Sequence, residues 1–425
     1  MSDAIEIYGT QLVGALADAR SDLVDERGSV SKSDEERFAG SWIRGEIERI
    51  QTERLDSGLA KLEPYEVDGL RQFVLDTAFH GAQVWRLWSE DETATNMWVN
   101  GTDPVQIELA DGRVVTGPSA AKTNRELVNA VLALRARSSR PDDPWDHTHH
   151  ALEFVVEQDG TRVTAINYVN KKPFVTFRRP TFLKVTLDDL VGNNTMSRQC
   201  ADFLDAAVRA KFRILIGGSM NTGKTVLLRA LASSLPKDWI TVTAESQAEL
   251  LLDEFAGEPY PNFIVPLEAR KSGADGSGEI SLNRLIEDAQ RMSPKCVIVG
   301  EIRGQESQAL AKSVSQGYMV MSTIHGYSAR HSISTAALYL EQYSEMDTDS
   351  ALRRMADGID LAIFMDIVDG RRVVAEVAAI GDADSMDSGV VKSDLVFDHT
   401  GEMMPLPEAV QARFDRFGIN PRGGE

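Results

Sequence analysis

Cysteine is nearly absent from this 425-residue chain: Cys200 and Cys296 are the only two. A pair so far apart can build neither a multi-bridge disulfide framework nor a four-cysteine zinc site, and a reducing compartment suits it best. Long apolar runs are missing as well. Stretches such as Phe212–Gly218 and Cys296–Gly300 fall far short of the roughly 18–20 residues that cross a bilayer. No export signal is read at the N-terminus, where Asp3 and Glu6 stand in place of Lys or Arg and Asp18 interrupts the apolar positions. The third shortage is basic charge, with 45 Lys and Arg against 65 Asp and Glu, a net charge of −20. Such a surface repels phosphate over most of its area, so no direct nucleic-acid partner is expected and anionic lipid is disfavoured. The expectation is a cytoplasmic protein, peripheral at the inner face of the cell membrane only through its partners.

What is present is globular. Hydrophobic residues at 42% and charged residues at 26% support packed domains, and the length allows two or three of them. Residues 1–62, richer in acidic than in basic side chains, read as an acidic helical extension with no evident chemistry. From Tyr65 to Glu90, Leu70, Phe73, Val74, Ala78 and Val84 recur at helical spacing. Met97–Val115 reads as strands joined by a turn at Asp111-Gly112, and a helix comes next over Asn124–Ser138. Leu152–Val169 alternates about Asp159-Gly160 as a hairpin does. Residues 63–175 are thus expected to form a small α+β domain, and 176–190 a linker. Beyond it, KFRILIGG, WITVTAE, KCVIVGE and VMSTIH are strand-like and alternate with the helix-like TVLLRALASSL and IEDAQRM. That alternation predicts an α/β domain over 191–400 with a mostly parallel sheet and a ligand at the carboxyl ends of its strands. Residues 401–425, with the DADSMDSG stretch before them, read as a frayed tail.

The chemistry centres on Gly218-Ser219-Met220-Asn221-Thr222-Gly223-Lys224-Thr225, which satisfies G-x-x-x-x-G-K-[ST] between a strand-like and a helix-like run. Glycines let the loop turn its N–H groups inward around a phosphate, and the helix N-terminus adds positive potential. Lys224 is expected to reach the β- and γ-phosphates of ATP, and the Thr225 hydroxyl to ligate Mg²⁺. Hydrolysis also needs a carboxylate. Glu301 ends the apolar run CVIVGE and Glu245 ends ITVTAE, and spacing alone does not say which acid holds metal-bound water and which activates the attacking water. His325 ends VMSTIH and, taken alone, reads as a local hydrogen-bonding residue before a catalytic one. The cluster His147, His149 and His150 reads as a solvated loop rather than a metal site.

These residues, in this order, resemble a known family: the hexameric ATPases of type II and type IV secretion, type IV pili, Tad/Flp pili and conjugation. The phosphate loop GGSMNTGKT, the acidic box TVTAESQAEL, the extended Walker B segment RMSPKCVIVGEIRGQES and the histidine box STIHGYSAR match in sequence. The phosphate loop is common to many proteins, whereas the GEIRG and STIH pair is specific. WVNGTDPVQIELADGRVV, VTFRRPTFLKVTLDDLV and RRVVAEVAAIG extend the likeness to about residues 90–400, most similar to the Tad/Flp pilus and conjugation branch. The resemblance implies a RecA-like P-loop ATPase domain preceded by a smaller α+β N-terminal sensing domain. It implies Mg²⁺-dependent ATP hydrolysis in a homo-hexameric ring coupled to inner-membrane platform proteins. Glu301 becomes the favoured base, Glu245 a residue acting through Mg²⁺-bound water, and His325 a γ-phosphate sensor. Arg178 or Arg179 is implied to reach the nucleotide from the linker, and Arg270 and Arg303 match family arginines near the site or a subunit interface. Ser246, Lys295 and Tyr318 depart from the family pattern, and the cysteine quartet of some relatives is absent, so no zinc is expected.

Overall fold

The computed structural model describes the chain except residues 1–4, 10, 14, 17–18, 20–22, 24–31, 81, 136–137, 139–142, 157–159, 181–183, 271–277, 382–390 and 424–425. Asp159 and the DADSMDSG stretch therefore lie outside the described residues. Two units divide at residue 180, Met1–Pro180 and Thr181–Glu425.

The first unit holds six strands: β1 (Ala94–Asn100), β2 (Pro104–Leu109), β3 (Val114–Ser119), β4 (Ala151–Val155), β5 (Arg162–Ile166) and β6 (Phe174–Arg178). They form one antiparallel sheet in the order β3-β2-β1-β6-β5-β4. Period-two alternation sets its faces. Met97 and Val99 of β1 lie opposite Phe177 and Val175 of β6, and all four are buried. Helix Asn124–Arg135 covers that face with Leu127, Ala130, Val131 and Leu134, spaced for one helical stripe.

The helix Lys32–Asp56 buries Ile43, Ile47 and Ile50 in a cluster shared with Leu70 and Val74 of helix Pro64–His80. This part of the expected helical extension thus packs on the helix after it, because a helix with one apolar stripe must bury it against a neighbour. The expected linker 176–190 contains the division between the two units, after Pro180; it begins in the last residues of β6 and ends in the helix Leu187–Gly192. Thr186 and Asp189 close a capping box at its start, Thr186 accepting from the Asp189 N–H.

The second unit holds β7 (Ile214–Gly218), β8 (Ile240–Glu245), β9 (Phe263–Glu268), β10 (Cys296–Ile302), β11 (Met319–His325), β12 (Leu361–Val368), β13 (Arg371–Ile380) and β14 (Ser393–Phe397). The order is β14-β13-β12-β7-β11-β10-β8-β9. From β12 through β9 every pairing is parallel, and β13 and β14 add antiparallel at one edge. Both faces are covered, which is why these strands read as continuous apolar runs rather than alternating ones. Ile214 and Ile216 face one core with the helices Arg198–Arg209 and Lys224–Ser233. Leu215 faces the other with Leu282–Gln290, Glu306–Ser315, Ala329–Tyr343 and Thr348–Gly358.

The expected tail is corrected here. Residues Glu408–Phe417 are helical, and Val410 and Phe414 enter the first of these cores. Phe414 lies 5.6 Å from Phe203 and 5.0 Å from Phe212 between ring centroids. Arg413 pairs with Asp360 at 2.7 Å, an acid that also binds Arg213 at 2.7 Å. Among the described residues no helix is long and apolar enough to cross a membrane.

Candidate functional site

Parallel pairing brings four carboxyl ends to one edge of the second sheet, in the order β7, β11, β10, β8. Those ends carry Gly218, His325, Glu301 and Glu245, the residues singled out by the motifs. Gly218 and His325 are in register. Beyond Gly218 the phosphate loop enters helix Lys224–Ser233 through Gly223, whose φ of +96° is a conformation that side-chain-bearing residues rarely adopt. The helix therefore points its unpaired N–H groups at the loop, an arrangement that favours an anion. Lys224 is buried and donates to the loop's own carbonyls, Gly218 O at 3.0 Å and Ser219 O at 2.8 Å. Burial pulls its ammonium below the ordinary lysine value against the opposing Glu301 carboxylate. Thr222 closes the loop by donating to Ser219 O at 3.0 Å.

Glu301 is aimed by a break in the ladder. Between Val299 and Ile302 the register of β10 on β11 slips, so β10 carries one residue more than its partner across Gly300-Glu301. Such a bulge turns a side chain out of the sheet's alternation. Thr323 donates to Gly300 O at 2.7 Å, which satisfies a carbonyl in the bulge. The glycine is required by close approach, since a Cβ at residue 300 would lie 2.9 Å from Glu245 Cγ. The Glu301 carboxylate, about one-fifth exposed, sits 3.4 Å from His325 Nε2 and accepts from Arg303 Nε at 2.5 Å. Lys224, Glu301, His325 and Arg303 are thus one electrostatic cluster.

Glu245 is placed differently. Its Oε1 accepts from the N–H groups of Glu249 and Leu250, both at 3.1 Å, and the side chain is buried. Arg229, buried within the phosphate-loop helix, donates to Leu250 O at 3.1 Å and to Glu249 O. Glu245 and Arg229 together tie the 246–252 segment to that helix, a link that motif spacing does not reveal. Burial, with Glu249 nearby, pushes the Glu245 carboxyl up to about 8. An unfolded glutamate ionises near about 4.3, so between that pH and about 8 the folded chain holds a proton that the unfolded chain has lost. Stability contributed by this group is therefore full below about pH 4.3 and falls as pH rises, by up to about 1.4 kcal/mol per pH unit, levelling off above about 8. Glu245→Gln removes this slope. Urea denaturation of both proteins from pH 5 to 9 should show the variant gaining on the wild type up to about pH 8; parallel profiles would mean the carboxyl ionises normally.

The expected arginines separate. Arg303 is at the cluster. Arg270 donates to Gly278 O at 2.8 Å just past β9, and β9 is four strands from β7, roughly 19 Å at the usual strand spacing. Within one chain Arg270 is therefore not beside the phosphate loop. Arg179 is committed inside the first unit, donating to Asp91 O at 2.7 Å, Ala94 O at 3.1 Å and Trp88 O at 3.0 Å, with its guanidinium 4.6 Å from the Trp88 ring centroid. Those contacts hold the Arg179 guanidinium on backbone carbonyls and an indole ring of the first unit. Arg178 stands exposed at the end of β6. In the histidine cluster, Asp146 accepts from the N–H groups of Thr148 and His149 in a tight turn, and His147 packs on Tyr168.

Arg372 was missed by motif reading. It donates from Nε to Asn221 O at 2.8 Å, crossing from β13 to the phosphate loop. A two-residue turn at Asp369-Gly370, with φ of +50° and +75°, sends β12 back as β13 and puts Arg372 opposite Ile367. The Asp-Gly pair was the available signal.

A phosphate loop between a central parallel strand and a helix, flanked by acid-bearing and histidine-bearing strand ends, defines a RecA-like P-loop fold with a smaller α+β unit before it. Residues 157–342, somewhat under half of the chain, match the family described as type II/IV secretion system protein. It is 32% identical over 172 residues to the type IV secretion system protein PtlH of Bordetella pertussis, covering 39% of this chain and 48% of PtlH. It is 33% identical over 111 residues to a putative conjugal transfer protein of Mycobacterium tuberculosis, covering 26% of this chain and 30% of that one. The X-ray structure of the ATPase DotB of Legionella pneumophila shares the fold, with a TM-score of 0.51 at 18% identity over 69% of this chain and 79% of DotB. The chain thus spans about half the length of PtlH, or less for the conjugal transfer protein.

Proposed function

We propose that this protein is a Mg²⁺-dependent ATPase that works as a ring-forming secretion motor. The observation that carries the reading is the cluster at the strand ends: Lys224 beside the phosphate loop, with Glu301 held between His325 and Arg303. In this reading the loop amides and helix N-terminus take the β-phosphate, and Lys224 exchanges its two carbonyl partners for phosphate oxygens. Glu301 accepts the proton of the attacking water, and His325, in contact with it, senses the γ-phosphate. Thr225, in the first helical turn, and the nearby carboxylate offer the hard oxygen donors that suit Mg²⁺, which would neutralise charge on the phosphates. Glu245, turned into the 249–250 amides, serves first as the anchor of its loop and contributes to metal-bound water only when ionised. Arg178, Arg303 and, from a neighbouring subunit, Arg270 remain the candidates for charge neutralisation in the ring.

Glu301→Gln is the direct test. It is expected to keep ATP binding within a few-fold while lowering turnover by about 10²–10⁴-fold; turnover near wild type would remove Glu301 from the mechanism. The motor is read as a homo-hexamer in the cytoplasm, meeting an inner-membrane platform and driving Tad/Flp-type pilus assembly or protein secretion. A second reading, DNA or effector transfer by conjugation or type IV secretion, is favoured by the names of the relatives, one a type IV secretion protein and one a putative conjugal transfer protein. Neighbouring genes discriminate: pilins and a prepilin peptidase for the first, a relaxase and a coupling protein for the second.

A further inference from the structure

We infer that Arg372 is a positioning residue that holds the phosphate loop in its phosphate-receiving shape, an inference that rests on the nucleotide-binding reading above. Asn221 occupies the left-handed region at φ +67°, uncommon for a residue with a side chain, and nothing in the glycine pattern of the motif predicts it. Its carbonyl is the acceptor for Arg372 Nε at 2.8 Å. In a planar trans peptide the carbonyl and the following N–H point opposite ways, so drawing Asn221 O outward to β13 turns the Thr222 N–H toward the inside of the loop. A charged donor makes this a strong tether for a backbone carbonyl.

The tether is built into the sheet. β12 lies directly beside β7, with Met365 in register with Gly218. A Cβ on Gly218 would come within 2.7 Å of Met365 O, and one on Gly223 within 3.3 Å of Arg372 Cδ. The loop is therefore gripped by the β12–β13 hairpin, whose Asp369-Gly370 turn sets the register that delivers Arg372. Without the tether, Asn221 can relax to the ordinary region, and that relaxation swings the Thr222 N–H out of the pocket.

Nucleotide titrations of the full-length protein, with a fluorescent ADP analogue displaced by ATP or by ADP, test this. Arg372→Met is expected to weaken ATP and ADP alike by about 10-fold, the loss of one charged hydrogen bond's worth of preorganisation, with turnover at saturation changed little. Arg372→Lys, which keeps a cationic donor, should recover part of the loss. Introduced into an Asn221→Gly background, Arg372→Met should cost at most about 2-fold, because glycine adopts positive φ without the tether. A loss confined to ATP, or an undiminished loss in the Asn221→Gly background, would make Arg372 a direct phosphate ligand and overturn the proposal. Unchanged affinity in Arg372→Met would overturn it too, and failure of the wild-type protein to bind nucleotide would instead sink the function reading.

Discussion

Lys224→Ala is expected to lower ATP affinity by at least about 10²-fold and to bring phosphate release to background, because a buried ammonium gives charge-assisted bonds that no neighbour can replace. The side chain is buried with the Glu301 carboxylate as its opposing charge and its own loop's carbonyls as hydrogen-bond partners. Its ligand-free bonds are therefore local, and its loss should leave the fold standing. Isothermal titration with ATP and a phosphate-release assay, run beside a thermal melt, separate the two effects. Hydrolysis that survives in Lys224→Ala would mean that the phosphate loop is not where ATP is cleaved. A melt lowered by many degrees would mean that the lysine holds the fold rather than the ligand.

Phe414→Ala is expected to cost about 3–5 kcal/mol of stability, as large aromatic truncations in packed cores do. Phe414 is fully buried between Phe203 and Phe212, and Phe203 in turn packs on Phe397 at 5.5 Å. Arg413 clamps the same helix, with its guanidinium 4.5 Å from the Phe212 ring centroid and an ion pair to Asp360. Removing residues 408–425 would uncover the rings of Phe203 and Phe212 and strip Asp360 of one of its two arginines, leaving Arg213, so that truncation should be insoluble rather than merely shortened. Equilibrium denaturation of Phe414→Ala and Phe414→Leu checks the claim. The leucine should recover much of the loss, since more of the volume is kept. A change within about 0.5 kcal/mol for alanine, the usual range for surface positions, would place the helix outside the core.

The two predictions differ in how visible their residues were. Lys224 stands in a fixed spacing of glycines, and that spacing is itself the mechanism, so the loop was readable without a fold. Phe414 sits in an amphipathic stretch after a Pro-rich segment, and only the rings of Phe203 and Phe212, roughly two hundred residues earlier, make it a core residue. Glu301 and His325 were legible as strand ends, while the 3.4 Å contact between them depends on the order β11-β10 and on the bulge at Gly300. Arg179 looked available in sequence because its partners are backbone carbonyls of Trp88, Asp91 and Ala94, which carry no side-chain signature.

By itself, the sequence determined the elements whose information is local: the phosphate loop, the apolar strands of a buried parallel sheet, the Asp-Gly turns, the net charge of −20 that rules out a broadly basic surface. Such features depend on neighbours within a few residues, where spacing and backbone preference act directly. The tertiary structure decided the rest. Only strand order placed Arg372 on Asn221 and His325 beside Glu301, and only packing turned an expected tail into a wall of the core. These are pairings between distant segments, and their energies come from burial and from satisfying buried polar groups, which no local pattern encodes.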